Sequence, residues 1–307
     1  MPNTGRALRV NLQRGAIQTF PLPYSLLSSY LGGRGISTAL LYTLVGPETS
    51  ARSPKMPIFF AAGPLSGTPA FAATTLTITT RSLLTGLIAH SWAVGQWAER
   101  LKGAGYDMVV ISGQAESWSY LIINEEGAEL RPADSLLGLD TIETYQRLRE
   151  ELGDEYSILA LGPAGERGLP YAAIVADGRY MAEPAGTGGV LGLKKIKAIA
   201  VRGAEQLQPA DERGFASLLE SIRERVTNDE LAEAMRQFGS SYYLNLANEA
   251  GALTSAQWAR CRLQSLSGPL AHHAGRARQA RGSWLPRLPD AMLQRFRPPR
   301  WRPPAAA

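Results

Sequence analysis

The sequence has little cysteine, little histidine and no long apolar run. The 307-residue chain contains one cysteine, Cys261, and three histidines. One cysteine forms no intrachain disulfide and cannot by itself hold a metal cluster. No apolar run reaches about eighteen residues, which argues against a transmembrane helix. The N-terminus lacks the apolar segment of a secretory signal. We therefore expect a cytoplasmic protein with no membrane partner.

Acidic residues are scarce only near the C-terminus. The formal net charge is +5, but residues 268–307 contain eight Arg and one acid, Asp290, and thus carry +7. Residues 1–267 then carry −2. A nucleic-acid footprint usually lies on a folded basic face. Here the charge lies in a Pro/Arg/Ala-rich end, a composition typical of disorder. We expect no nucleic-acid partner.

Short apolar runs bounded by Gly, Pro or Asp predict strands in the first two hundred residues. Few helices separate them, which indicates an α+β sheet domain rather than a regular βαβ winding. Helices are predicted in GGRGISTALLYTLV, GQWAERLKGAG and TIETYQRLREELG, the last ending at Gly153. The predicted strands are PIFFAAGPL, TTLTITT, DMVVISG, SYLIINEEG, YSILALGPAG, YAAIVAD and IKAIAVRG.

The chain changes character between Arg202 and Asp211. The next segment, DERGFASLLESIRERVTNDELAEAMRQFG, is amphipathic and predicted to be helical, and a second helix is predicted in TSAQWARCRLQSL. One face of the first segment carries Leu218, Leu219, Ile222 and Val226. The predicted regions are a first domain over 1–208, the start of a truncated helical domain over 209–266 and a basic Pro/Arg-rich tail over 267–307.

Four glycine-rich stretches are candidates for a binding surface: GGRG, AAGPLSGT, LGPAGE and AGTGGVLGLKKIKAI. Glycine lets backbone amides approach a phosphate or a flat cofactor closely. It also forms tight turns between strands, and this alternative stays open for each stretch. The sequence contains neither a Walker A motif nor a Rossmann fingerprint.

Taken in order, these stretches resemble the N-terminal domain of the tungsten-containing aldehyde:ferredoxin oxidoreductases. The resemblance runs through YLGGRG, AAGPLSGT, TTRSLLTG, LKGAGYDMVVISGQA, LGPAGE and GTGGVLGLKKIKAIAVRG, and it covers roughly residues 5–204. It continues weakly through residues 238–258. It implies a saddle of β-sheets with flanking helices, followed by a helical second domain.

The resemblance also implies a function. The family oxidises aldehydes to carboxylic acids and passes the electrons to ferredoxin. Its N-terminal domain supports two pterins that carry tungsten or molybdenum, and cysteines of the later domains hold a [4Fe-4S] cluster. A homo-oligomer is compatible with this assignment. Catalytic residues and metal ligands are not assigned in this chain. The implied cofactor-binding residues are Thr75, Arg81, Trp92, Ala93, Gly95, Gly186, Thr187 and Gly188.

Several of these positions depart from the family pattern. Thr75 and Thr187 stand where the family has Arg, Trp92 replaces an Asn, and Val94 replaces a Gly. Arg is the side chain best suited to clamp a phosphate, because its planar fork donates two hydrogen bonds. These changes weaken cofactor binding by side chains. The alternative is a non-catalytic paralogue that binds a pterin weakly or acts as an assembly module.

Five side chains are candidates for individual roles. His90 has two open interpretations: a proton-transfer group, because it titrates near neutrality, or a hydrogen-bonded structural residue. Glu166 is predicted to orient backbone amides at a turn. Trp92 and Trp97 are predicted to be core aromatics rather than a substrate cage. Cys261 is predicted to be a buried apolar cysteine of a helix.

The tail admits a frame-shifted interpretation. The family has Cys-x2-Cys-x3-Cys after the start of its helical domain. If Leu is encoded by CTG, a one-base shift turns Leu285–Pro286, Leu288–Pro289 and Met292–Leu293 into three Cys codons with that spacing. We therefore expect out-of-frame translation beginning between about Ser265 and Gly282, with the cluster present only in a frame-corrected, full-length protein. A genuine partner- or RNA-binding tail is the alternative, and it predicts binding that weakens steeply with salt.

Overall fold

The strands of the structure form two sheets. The computed structural model describes residues 3–183, 185–204 and 207–252. The first sheet contains β1 (Arg6–Asn11), β2 (Ala16–Pro21), β3 (Ile58–Ala62), β4 (Leu76–Arg81), β5 (Ile88–Ala93) and β6 (Met108–Ser112). The second contains β7 (Ser119–Asn124), β8 (Gly127–Pro132), β9 (Ser157–Ala160), β10 (Ile174–Ala176), β11 (Tyr180–Ala182) and β12 (Ile196–Val201).

Both sheets are mixed. The strand orders are β2-β1-β6-β3-β4-β5 and β11-β10-β9-β12-β7-β8. One pair in each sheet, β1 with β6 and β7 with β12, is parallel, and the other neighbours are antiparallel. Strand β5 forms one edge of the first sheet.

The helices lie between and beyond the strands along the chain. Those of the first two hundred residues are α1 (Tyr24–Tyr30), α2 (Gly33–Leu44), α3 (Trp97–Gly103), α4 (Thr141–Leu152), α5 (Pro163–Glu166) and α6 (Thr187–Leu193). They are followed by α7 (Glu212–Thr227), α8 (Glu230–Phe238) and α9 (Leu244–Glu249). Short 3-10 turns cover Asp134–Leu136 and Gly239–Tyr243. The predicted α+β fold is confirmed.

The apolar runs of the sequence form the central strands. Residues from both sheets share one core cluster, including Phe60, Val109, Leu121 and Ile199. Helix α3 contacts β3 of one sheet and β9 and β12 of the other, so the sheets face each other across this core. Burying such side chains contributes about 2 kcal/mol each.

The outer face of each sheet is covered by helices. On the first sheet, Phe59 and Val110 pack with Ile36 and Leu41 of α2. On the second, Leu148 of α4 is one of the covering residues. Helix α4 has a capping box, in which the Asp140 carboxylate accepts from the Glu143 amide and the Glu143 carboxylate accepts from the Asp140 amide. It ends at Leu152, with Gly153 as its C-cap, as predicted.

Some local predictions were wrong. The strand in YSILALGPAG stops at Ala160, and α5 begins at Pro163, a residue suited to a helix start. The segment predicted as one helical stretch is two helices, with Asn228 ending α7 and Asp229 capping α8. No strand was predicted at β1, β2, β5, β8 or β11, and no helix was predicted at α1, α9 or the glycine-rich α6.

The chain separates into two compact units, residues 1–210 and 211–307. In the described part of the second unit, α7, α8 and α9 contain no buried residue. The predictions that concern the second helix, Cys261 and the tail fall outside the described residues.

Candidate functional site

The end of β5 and the start of α6 meet in the first unit. The Thr187 hydroxyl donates to Ser91 Oγ at 3.0 Å, and both residues are fully buried. The Trp92 and Glu183 backbones exchange hydrogen bonds of 3.0 and 3.3 Å. These contacts bring Trp92, Ala93 and Gly95 close to Gly186, Thr187 and Gly188. We call this group the β5–α6 junction.

Thr75, which directly precedes β4, and Arg81, which ends it, lie at opposite ends of that strand. Leu76 pairs with Ala93, so Thr75 lies beside the β5–α6 junction. Arg81 is six residues further along, or roughly 20 Å at the usual strand rise. Its guanidinium donates to the carbonyl oxygens of Pro47, at 2.9 Å, and Thr49. The Arg81 guanidinium is thus engaged by these carbonyl oxygens, although its neighbour Ser82 donates to the Ala185 carbonyl beside the junction at 3.3 Å.

The glycines of α6 permit close backbone packing. A Cβ on Gly186 would lie 1.8 Å from the Pro170 carbonyl oxygen, and Gly186 also has a φ of +65°. A Cβ on Gly188 would lie 2.7 Å from the Ala172 oxygen, to which the Gly188 amide already donates at 2.9 Å. Close backbone packing is therefore sufficient to explain these glycines, without a bound cofactor. This agrees with the alternative that they serve the turns between elements.

Gly95 turns the chain from β5 into α3. Its φ is +135°, and a Cβ there would lie 3.2 Å from Asp177 Oδ2. The Asp177 carboxylate accepts from Ser157 Oγ at 2.8 Å and from the Ile158 amide at 2.9 Å. It also accepts from the Gln96 amide, and burial raises the pKa of this carboxyl. The sequence analysis missed Asp177. Its only local signal is the turn-forming Asp-Gly dipeptide.

The two tryptophans have different environments. Trp97 is 1% exposed, and its indole donates to the Ile199 carbonyl at 3.3 Å, so its predicted core role is confirmed. Trp92 is 50% exposed, so its predicted core role was wrong. The period-two alternation of β5 explains the difference, because Ser91 and Ala93 point inward and Trp92 points outward.

His90 lies on β5 two residues before Trp92. Its Nδ1 is 3.0 Å from Thr79 Oγ1, and its Nε2 is 3.5 Å from Thr38 Oγ1. Burial and, second, the Arg34 charge lower the pKa of His90. The hydrogen bonds support the structural interpretation of this histidine. They do not test proton transfer.

Glu166 binds backbone amides, as predicted. Its carboxylate accepts from the Gly138 amide at 3.1 and 3.2 Å and pairs with the buried ammonium of Lys197. A buried charge of this kind is stable because it is both paired and hydrogen-bonded. Glu166 thereby ties α5 to β12 and to the turn at Gly138.

The family comparison decides the assignment. The model of the aldehyde ferredoxin oxidoreductase N-terminal domain matches residues 7–203. The chain belongs to the aldehyde ferredoxin oxidoreductase family. The predicted resemblance is therefore confirmed, and the matched residues span both sheets.

Related proteins extend the match. The tungsten-containing aldehyde ferredoxin oxidoreductase of Pyrococcus furiosus is 36% identical over 251 residues, or 81% of this chain and 42% of that protein. The Pyrococcus horikoshii enzyme is 34% identical over 80% of this chain and 41% of its own length. The chain spans about two-fifths of the length of these relatives.

A solved structure has the same fold. The active site complex BamBC of benzoyl coenzyme A reductase, bound to 1,5-dienoyl-CoA, superposes with a TM-score of 0.80. It is 30% identical and covers 90% of this chain and 44% of the matched one. An aliphatic sulfonate oxidoreductase, WOR-like subunit, from Pyrococcus furiosus is 28% identical over 66% of this chain and 35% of its own length.

The family includes tungsten-containing enzymes, which implies a tungsten–pterin cofactor. The predicted side chains do not fit such an anionic group as a clamp. Thr187 is fully buried, its hydroxyl bonds Ser91, and Arg81 is committed to carbonyl oxygens. Thr75 adds a hydroxyl but no charge.

Two further tests were negative for the described residues. No cluster of three or more His, Cys, Asp or Glu is arranged to hold a metal ion in the part of the chain that the structure describes. Within the same residues, no helix combines the length and apolar character needed to cross a membrane.

Proposed function

We propose that this chain is the N-terminal portion of an aldehyde:ferredoxin oxidoreductase-like enzyme. In this role it forms the base beneath a tungsten- or molybdenum–pterin, with the β5–α6 junction as the face turned toward the cofactor. The match over residues 7–203 carries the proposal. The bound group would supply aldehyde oxidation, with electrons leaving to ferredoxin through a [4Fe-4S] cluster.

The 307-residue chain is proposed to have no oxidoreductase activity by itself. The relatives are more than twice as long as the part matched here. A cofactor of this type needs enclosure from water and positioned polar groups. The β5–α6 junction offers a half-exposed indole and backbone, whereas its hydroxyl at Thr187 is already bonded internally. Cofactor retention then depends on protein beyond the described residues.

A second candidate function has a specific observation behind it. The Arg of the family pattern is replaced at Thr187, and the structure buries this threonine completely in a bond to Ser91. A position adapted to an internal bond favours a non-catalytic paralogue that acts as a pterin-binding or assembly module.

One paired expression experiment tests both candidates. The gene with its downstream sequence and the 307-residue chain are produced in parallel in a host supplied with tungstate and molybdate. Metal and pterin are quantified, and aldehyde-dependent dye reduction is assayed. We expect only the longer product to carry metal and to oxidise aldehydes. A longer product without metal or activity would establish the second candidate. Activity of the 307-residue chain alone would refute the dependence on further protein.

A further inference from the structure

Four side chains from α2 and β5 border one surface patch of the first unit. Arg34 and Thr38 are one turn apart on α2 and therefore share a helix face. His90 and Trp92 lie on the same face of β5, since strand side chains alternate. Arg34 is exposed, His90 and Thr38 are partly exposed, and Trp92 is half-exposed. We call these four residues the Arg34–His90 patch.

A chain of hydrogen bonds fixes the inner nitrogen of His90. Nδ1 is 3.0 Å from Thr79 Oγ1, which is 2.7 Å from Ser37 Oγ. Ser37 Oγ in turn lies 3.0 Å from the Gly33 carbonyl oxygen, to which it donates. Ser37 and Thr79 are fully buried. The imidazole ring is thus held in one orientation, with Nε2 directed toward α2 and the surface.

The outer nitrogen of His90 becomes a donor when the ring is protonated. Thr38 Oγ1 donates its proton to the Arg34 carbonyl oxygen at 2.7 Å. Toward His90 Nε2, 3.5 Å away, the Thr38 oxygen can therefore only accept. Because Ser37 donates to Gly33, Thr79 donates to Ser37, and the Thr79 oxygen can then only accept from Nδ1, which carries a proton. Nε2 therefore carries a proton only in the charged ring. A protonated Nε2 and the Arg34 guanidinium then both present donors at the patch.

No carboxylate balances these donors. Arg34 forms no ion pair within the described residues, and its charge acts on His90. The other cation nearby is Arg81, on the same face of β4 as Thr79, and it binds carbonyl oxygens. Glu183 pairs with Trp92 only through the backbone. Burial and, second, the Arg34 charge lower the pKa of His90, and no carboxylate is among the causes of this shift.

We propose that Arg34 and His90 together bind an oxyanion, the carboxylate or phosphate group of a small molecule. A guanidinium donates a pair of parallel hydrogen bonds to such a group, and Nε2–H of the charged ring supplies a third in place of its 3.5 Å contact with Thr38. The half-exposed Trp92 ring gives an apolar surface beside the anion. The proposal goes beyond the proposed function, because it requires neither the metal nor protein outside the first unit.

Binding of the anion is coupled to protonation of His90. An anion between the two groups removes the repulsion that Arg34 exerts on the imidazolium, so it raises the pKa of His90. By linkage, protonation of His90 tightens anion binding by the same factor. Binding therefore strengthens as the pH falls through the pKa of His90.

NMR titration of the histidine ring protons in the full 307-residue chain tests this coupling. The His90 signal is identified with H90N, and titrations in inorganic phosphate, in benzoate and in chloride are compared at equal ionic strength. We expect phosphate, benzoate or both to raise the pKa of His90 saturably by at least about 0.5 unit, which is roughly threefold tighter binding to the charged ring. A response to phosphate alone indicates a phosphate ligand, and a response to benzoate alone indicates a carboxylate.

Three arginine variants test the role of Arg34, and one of them is the control. R34Q should abolish the anion-dependent shift, and R34K, which keeps the charge without the planar fork, should reduce it. R52Q removes another exposed arginine and should leave the shift intact. The proposal fails if neither anion moves the pKa of His90 more than chloride does. It also fails if folded R34Q or R34K responds as fully as the unmodified chain.

Discussion

Lys194 is a buried lysine whose ammonium is solvated by carbonyl oxygens. It is 2% exposed and donates to the Pro54 and Gly113 oxygens at 3.2 and 3.1 Å. No acid pairs with it in the part of the chain that the structure describes. Burial lowers the pKa of Lys194 to about 8. The folded protein therefore holds this charge at neutral pH against a desolvation cost.

The low pKa of Lys194 predicts a rise in stability at alkaline pH. Between about pH 8 and pH 10 the unfolded chain retains a proton that the folded chain has released, so the free energy of unfolding increases with pH. Relative to K194M, the unmodified chain should gain up to about 3 kcal/mol across this range. Urea unfolding at several pH values measures the difference. A pH-independent difference between the two proteins would contradict the assignment.

The role of a single side chain was predictable where it follows from the chemistry of that side chain and its local sequence. The carboxylate of Glu166 at a glycine turn was predicted to bind amides, and it does. Trp92 was assigned to the core on hydrophobicity alone, yet it faces outward on an edge strand. The burial of Thr187 was likewise not predictable from sequence, because it depends on the tertiary contact with Ser91.

Elements were predictable where the apolar pattern was strong. Strands β3, β6, β7 and β12 are mostly apolar, and all four were found from sequence. Strands β2 and β8 contain no fully buried residue, so their pattern is weak. Helix α6 was missed because glycine has low helix propensity, and its helical state depends on contacts with distant backbone.

The close packing of α6 predicts a steric effect at Gly192. A Cβ at this position would lie 1.7 Å from the Gly165 carbonyl oxygen, so G192A must displace α5 from α6. Although alanine is the better helix former, we expect a loss of about 2–4 kcal/mol in the free energy of unfolding, typical of overpacking and backbone shifts. Chemical denaturation measures it.

A matched glycine provides the control for that substitution. A Cβ on Gly162 would lie 3.5 Å from Thr141 Cγ2, an ordinary contact, and its φ is −92°. G162A should therefore change stability by less than about 1 kcal/mol. Equal effects of G192A and G162A would show that the α5–α6 contact is not the tight one.

At the scale of the whole molecule, both units expose apolar side chains. Leu84 and Leu87 beside β5 are 73% and 70% exposed. In the second unit, Leu218 is 56% and Leu246 62% exposed. Exposed apolar surface of this kind marks sites of association.

We expect the 307-residue chain to self-associate in solution. Sedimentation velocity over a tenfold range of concentration should show a weight-average mass that rises with concentration. Substituting Leu84 and Leu87 by Ser should reduce the rise in mass if the surface beside β5 is the one that self-associates. A single monomeric species across the whole range, together with cooperative thermal unfolding, would refute the expectation.

The parallel pairing of β1 with β6 has a consequence for how the protein is made. The hairpin of β1 and β2 leaves the ribosome first, but one edge of β1 has no partner until residue 112 has been synthesised. At about 5–20 residues per second, that wait lasts roughly 5–20 seconds. Strand β7 likewise waits for β12. During each interval a nascent strand presents unpaired amides and carbonyls to its surroundings. The yield of folded protein therefore depends on rapid translation or on a chaperone that shields those strand edges.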